Sequence, residues 1–130
     1  MFPLALVVDD HEDSRNVARL LLESGGFRVL EAGTGFEGLR IAVEQHPIAV
    51  LLDLIVPGVD GWDLARLLRA DSEARSAAII AVTASVSPDD LDRALLAGCD
   101  AVLTKPVAPG MLLATVRRYV SCSEYARLAP

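Results

Sequence analysis

Three kinds of side chain in this 130-residue sequence could do chemistry together: the carboxylates Asp9, Asp10 and Asp53, the hydroxyl of Thr83 and the ammonium of Lys105. Asp53 stands out first. It ends the apolar run Ile48 to Leu52 within IAVLLDLIVPGVDG, and the residues after it, through Pro57-Gly58 and Asp60-Gly61, are turn chemistry. A charge at the end of a buried strand belongs facing a loop, where open parallel sheets bind their ligands. Asp9-Asp10 ends the run Leu4 to Val8 in the same way, Thr83 ends Ala77 to Val82, and Lys105 follows Ala101 to Thr104. If these runs are parallel strands, all of these ends lie along one edge. Like charges about 4 Å apart at an effective dielectric near 20 repel by roughly 4 kcal/mol per pair, so three carboxylates gathered there require a cation. The available ligands are hard oxygens, His11 excepted, which favours Mg²⁺, with Mn²⁺ as a substitute. Magnesium retains water and phosphate oxygens in its shell, so the set points to phosphoryl chemistry, with Lys105 neutralising a phosphoryl oxygen and Thr83 donating to another.

The elements that must position these groups can be read from the alternation of short apolar runs with segments of helical period. The first strand, Leu4–Val8, is followed by a helix capped by Asp13 or Ser14, with Val17, Leu20 and Leu21 on its inner face and Gly25-Gly26 at its end. Phe27 to Leu30 is a second strand, ending blandly at Glu31-Ala32-Gly33 as an edge strand remote from the site would. A helix with Phe36, Leu39, Ile41, Ala42 and Val43 inward runs to Pro47. The third helix, Trp62 to Ala70, turns Leu64, Leu67 and Leu68 inward. Ser87 caps the fourth, with Pro88 at its first position, Leu91, Ala94 and Leu95 buried and Gly98 at its end. A fifth helix spans about Pro109 to Val120. Five strands alternating with five helices imply a doubly wound α/β sandwich around a parallel sheet, and the continuously apolar strands fit burial on both faces. Residues 1–121 are expected to form one domain and 122–130 a tail prone to fraying.

Composition narrows the function classes. The formal net charge is −6 and Arg117-Arg118 is the only adjacent basic pair, so direct nucleic-acid binding is not expected. The hydrophobic fraction is 52%, yet no apolar run approaches the ~18 residues of a membrane span, and no signal-peptide pattern opens the chain. Cys99 and Cys122 lack metal-ligand spacing and are expected to be reduced thiols of a cytoplasmic protein, both as small apolar fillers. Eleven of the twelve basic residues are arginine, so Lys105, the only lysine, suggests a need for a compact ammonium. Taken singly, each residue has a plainer reading: Asp9-Asp10 as helix caps, Thr83 as a strand-end hydroxyl, Lys105 as a surface residue, His46 as a solvated helix end, Trp62 as partial core. It is their convergence that favours a site.

The sequence resembles the receiver domain of bacterial two-component response regulators. The resemblance is carried by LVVDD at Leu6 to Asp10, LLDLIVPGVDG at Leu51 to Gly61, VTA at Val82 to Ala84 and GCDAVLTKPV at Gly98 to Val107, each at the right strand end and in order. It implies a flavodoxin-like strand order 2-1-3-4-5. It also implies Asp53 as the acceptor of a phosphoryl group from a histidine kinase or histidine phosphotransfer protein, and slow hydrolysis of the product. Asp9, Asp10, Asp53 and the Ile55 backbone carbonyl would be metal ligands, Thr83 the switch hydroxyl and Lys105 the phosphoryl-binding ammonium, followed by a cis peptide to Pro106. Ile55 and Ser85 would flank the path of the hydrolytic water. The resemblance further implies a downstream output partner of unknown identity and a phosphorylation-dependent dimer, with no enzymatic activity beyond the domain's own phosphorylation and dephosphorylation. One position departs: Val102 stands where many relatives carry an aromatic residue that rotates inward. Competing readings are a Mg²⁺-dependent aspartyl-phosphate hydrolase of the haloacid dehalogenase type, which needs an acid where Ile55 stands, a receiver-like module that binds partners unphosphorylated, and flavin binding, which the acidic, glycine-poor first loop disfavours.

Overall fold

The computed structural model describes residues 2–84 and 87–120. Its elements alternate without exception: β1 (Leu4–Val8), α1 (Glu12–Ser24), β2 (Arg28–Ala32), α2 (Gly35–Gln45), β3 (Ala49–Leu52), α3 (Gly61–Ala70), β4 (Ala78–Thr83), α4 (Pro88–Ala97), β5 (Ala101–Thr104) and α5 (Pro109–Tyr119). All strand pairs are parallel and the order is β2-β1-β3-β4-β5, as the resemblance implied. The two-residue period of each strand divides its side chains between two cores. Leu6, Val8, Val50, Leu52, Ile79 and Ala81 pack with α2, α3 and α4, while Ala5, Val7, Ala49, Leu51, Ala78 and Ile80 pack with α1 and α5. Both faces are covered, which explains the absence of polar alternation in β1, β3 and most of β4.

Several helix faces differ from the sequence expectation. In α1 the covered row is Ala18, Leu21 and Leu22, while Val17 and Leu20 face solvent. In α3, Trp62, Leu64, Ala65 and Leu68 are buried and Leu67 is exposed; in α4 the buried residues are Ala94 and Ala97, not Leu95. Small residues line the inner face of α4, which leaves Leu95 and Leu96 outside. Phe36 is likewise exposed on α2, where its ring lies over Gly58 in the loop after β3. The N-cap of α1 is His11 rather than Asp13 or Ser14, because Asp9 Oδ1 already accepts the His11 N–H at 2.9 Å and turns the chain two residues earlier. Ser87 caps α4 as expected, with Pro88 in the first turn and Gly98 closing it at φ 115°. His46 ends α2 in the left-handed region just before Pro47, whose ring disfavours a helical residue ahead of it. Among the described residues no helix is long and apolar enough to cross a membrane. The expected tail, including Cys122, lies outside the described residues.

Cys99 is buried between α3, α4 and β5, and burial pushes its thiol from 9.0 up to about 11, against a smaller lowering by Arg69. The folded chain thus keeps a proton that the unfolded chain releases first. Stability is expected to fall as pH rises from about 9 to about 11. A Cys99→Ala variant should lose that part of the slope in denaturant titrations. In a Cys122→Ser background, the native chain should resist iodoacetamide at neutral pH until denatured.

Candidate functional site

The ends of β1, β3, β4 and β5 converge as the parallel sheet requires, and they bring together residues nearly a hundred positions apart. Asp9 and Asp53 are buried at 6% and 8% exposure on adjacent strands. Each carboxylate is held in the same way. One oxygen accepts a backbone N–H two residues on, His11 for Asp9 at 2.9 Å and Ile55 for Asp53 at 3.0 Å. The other oxygen accepts from Lys105 Nζ, at 3.0 Å for Asp9 and 2.9 Å for Asp53. Lys105 reaches them from the far side of β4, where its own N–H is donated to the Thr83 carbonyl at 2.9 Å and the Lys105–Pro106 peptide is cis. Burial alone would lower the Lys105 pKa, but the hydrogen bonds to Asp53 and Asp9 outweigh it and hold the ammonium above its ordinary value of 10.5. The ammonium therefore stays charged throughout the neutral range.

Asp10 is exposed and sits at the mouth, with His11 Nδ1 3.1 Å from its Oδ1. Ligand atoms of Asp9, Asp10, His11 and Asp53 all lie within 4.8 Å of one another. Three carboxylates against one ammonium leave two negative charges, a donor set of hard oxygens that fits a divalent cation. Thr83 is buried at the end of β4, one strand from Asp53. Ile55 is exposed in the loop after Asp53, and Ser85 lies outside the described residues. Gly61 lets the start of α3 approach this loop: its N–H is donated to the Leu54 carbonyl, and a Cβ there would stand 2.6 Å from the Asp53 carbonyl oxygen.

One contributor carries no signal in the sequence. Arg15 donates to the Asp9 carbonyl at 2.8 Å and pairs with Glu31 at 3.4 Å, so the apparently bland end of β2 braces the acidic loop. No local spacing signals a pairing made between α1 and β2. Trp62 is more buried than expected, and its ring joins α3 to α4: its N–H is donated to the Asp90 carbonyl at 3.5 Å and the Arg93 guanidinium lies 4.1 Å from the ring centroid.

Comparison with known proteins decides the family. The response regulator receiver domain profile matches residues 5–117. The chain belongs to the response regulator receiver domain family. It is 32% identical over 115 residues to the polar-differentiation response regulator DivK of Brucella ovis, covering 88% of this chain and 94% of that protein. Among solved structures, a putative response regulator from Chloroflexus aurantiacus superposes with a TM-score of 0.88 at 26% identity, over 93% of this chain and 99% of the other. The receiver domain of a sensor histidine kinase from Pseudomonas aeruginosa, with a magnesium ion coordinated in its active-site cleft, gives a TM-score of 0.85 at 31% identity, over 92% and 98%. This receiver is thus a phosphoacceptor signalling switch of two-component type, of a class that interacts with histidine kinases and downstream effectors. Its acidic cleft suits a divalent metal.

Proposed function

We propose that Asp53 is the phosphoacceptor, that Asp9, Asp10, Asp53 and the Ile55 carbonyl hold Mg²⁺ or, as a substitute, Mn²⁺, and that Lys105 and Thr83 bind the transferred group. The observation that carries this reading is the pairing of one ammonium with two buried carboxylates on neighbouring strands, beside a third carboxylate at the mouth. When bound, the ion supplies positive charge to a phosphoryl oxygen and offsets carboxylate repulsion. An Asp53 oxygen attacks the phosphorus of a phosphohistidine on a partner kinase or phosphotransfer protein; the P–N bond breaks and its electron pair returns to the imidazole. Lys105, already donating to Asp53 Oδ2, turns to a phosphoryl oxygen. Water later attacks phosphorus, the bond to Asp53 breaks, and phosphate leaves with the carboxylate restored. The chain does no other chemistry in this reading.

Phosphorylation adds roughly two negative charges, which would draw the Thr83 hydroxyl inward and shift the loop before α4. Val102 is half-buried against the α2–α4 core and has no ring to swing. The exposed Leu95 and Leu96 of α4 support contact there with an output partner or, on phosphorylation, a second copy of the chain. The domain itself spans residues 1–121 in this proposal and works in the cytoplasm, the latter resting on the expectation of reduced thiols.

Incubation with acetyl phosphate and Mg²⁺ should add one phosphoryl mass to the native chain and none to Asp53→Asn. Equal labelling of both proteins would sink the assignment of Asp53.

A further inference from the structure

His11 occupies the N-cap of α1 without capping it: its side chain makes no hydrogen bond to the helix. Nor does it pack, since 71% of the side chain is exposed. Its ring instead turns back over the acidic mouth, with Nδ1 3.1 Å from Asp10 Oδ1 and 3.4 Å from Asp9 Oδ1. The backbone holds it there, because the His11 N–H is donated to Asp9 and its carbonyl accepts from Arg15. A ligand nitrogen of His11 consequently falls within 4.8 Å of oxygens from all three carboxylates. The corresponding cleft of the Pseudomonas aeruginosa receiver coordinates a metal ion, so this imidazole stands beside a place where an ion binds in a relative.

We infer that His11 is a side-chain ligand of this centre for borderline transition ions, and that it sets the metal selectivity of the site. The inference rests on the metal centre proposed above and extends it. Mg²⁺ demands oxygen donors and gains little from an imidazole. Ions later in the first transition row, such as Ni²⁺, bind imidazole well, so a site of three carboxylates and one histidine favours them over the same site with oxygens alone. Asp9, Asp10 and Asp53 would hold either metal, and the His11 imidazole would add a nitrogen donor where a borderline ion is bound. A receiver so built would load with different ions as their availability changes.

Calorimetric titration with MgCl₂ and with NiCl₂ tests this in a His46→Gln, Cys122→Ser background, where His11 is the only imidazole. Adding His11→Asn, which keeps a favoured N-cap residue, should weaken Ni²⁺ binding by about tenfold or more. Mg²⁺ binding should stay within about twofold, since its oxygen ligands are untouched. His11→Gln should behave alike, which guards against an effect of the cap. Unchanged Ni²⁺ affinity, or an equal loss for both ions, would overturn the role of His11. Failure of the native chain to bind Mg²⁺ at all would overturn the metal centre itself, a result independent of His11.

Discussion

Lys105→Met is expected to bind Mg²⁺ about tenfold more tightly than the native chain while taking up phosphoryl groups at least about a hundredfold more slowly. The two effects have opposite signs because the ammonium plays two parts. Before phosphorylation it occupies Oδ2 of both Asp9 and Asp53, at 3.0 and 2.9 Å. A dication entering the same cleft must share those carboxylates with it. Charges of +1 and +2 about 5 Å apart repel by roughly 7 kcal/mol at an effective dielectric near 20 and by roughly 2 kcal/mol at that of water; a flexible ammonium can swing toward the solvated mouth, so the surviving difference lies below the lower figure, about one factor of ten. Methionine keeps the length of the stem and removes only the charge. During transfer the ammonium is the donor that meets charge spreading onto the phosphoryl oxygens, and loss of one such donor costs about 10²–10³ in rate. A third consequence is thermal. Without metal, Asp9, Asp10 and Asp53 repel unrelieved, so the variant should melt below the native chain in chelator and recover most of the difference in saturating Mg²⁺. Calorimetry, melting curves and acetyl phosphate labelling give the three readouts. Weaker Mg²⁺ binding in the variant would mean that the ammonium organises the two carboxylates more than it competes for them.

The site was legible in the sequence because it is made of strand ends. Where an apolar run stops on Asp9, Asp53 or Thr83 or just ahead of Lys105, the parallel sheet converts four separate stops into one edge, and the partners need no pairwise signal. The same logic fails for side chains that reach across layers. Arg15 and Glu31 meet only because α1 packs beside β2, and neither position looks unusual in the chain. Helix faces are less legible in the sequence for a related reason. Val17, Leu20, Leu67 and Leu95 satisfy helical spacing, but the inner rows of α1, α3 and α4 are set by how closely each helix approaches the sheet, and alanines at 18, 65, 94 and 97 take the near positions. A scale that ranks leucine above alanine points to the wrong stripe where the helices lie close.

Arg69→Met is expected to cost about 3 kcal/mol of stability, lowering the melting temperature by about 10 °C, while leaving phosphorylation stoichiometry intact at temperatures where the variant is folded. Arg69 lies near the end of α3, at the edge of the sheet opposite Asp53. Its guanidinium donates to the carbonyls of Gly98, Arg75 and Ala77 at 2.9, 2.7 and 2.6 Å, and to Asp100 Oδ2 at 2.8 Å. The same Asp100 oxygen accepts the Ile79 N–H at 2.8 Å. One side chain therefore ties α3, the start of β4 and the turn into β5 together. Gly98 is required beneath it, both for φ 115° and because a Cβ would meet the arginine stem. Removing the fork takes the arginine donor from three carbonyls and from Asp100, which keeps the Ile79 N–H. The site is a quarter to a third exposed, so water recovers part of the loss and the cost falls at the lower end of the range for a broken buried pair. Arg69→Lys keeps the charge but cannot reach four acceptors from one nitrogen, and should recover less than half of the stability. Denaturant titration measures the difference. If Arg69→Met lost phosphorylation while still folded, the two ends of the sheet would be coupled and the staple would belong to the switch.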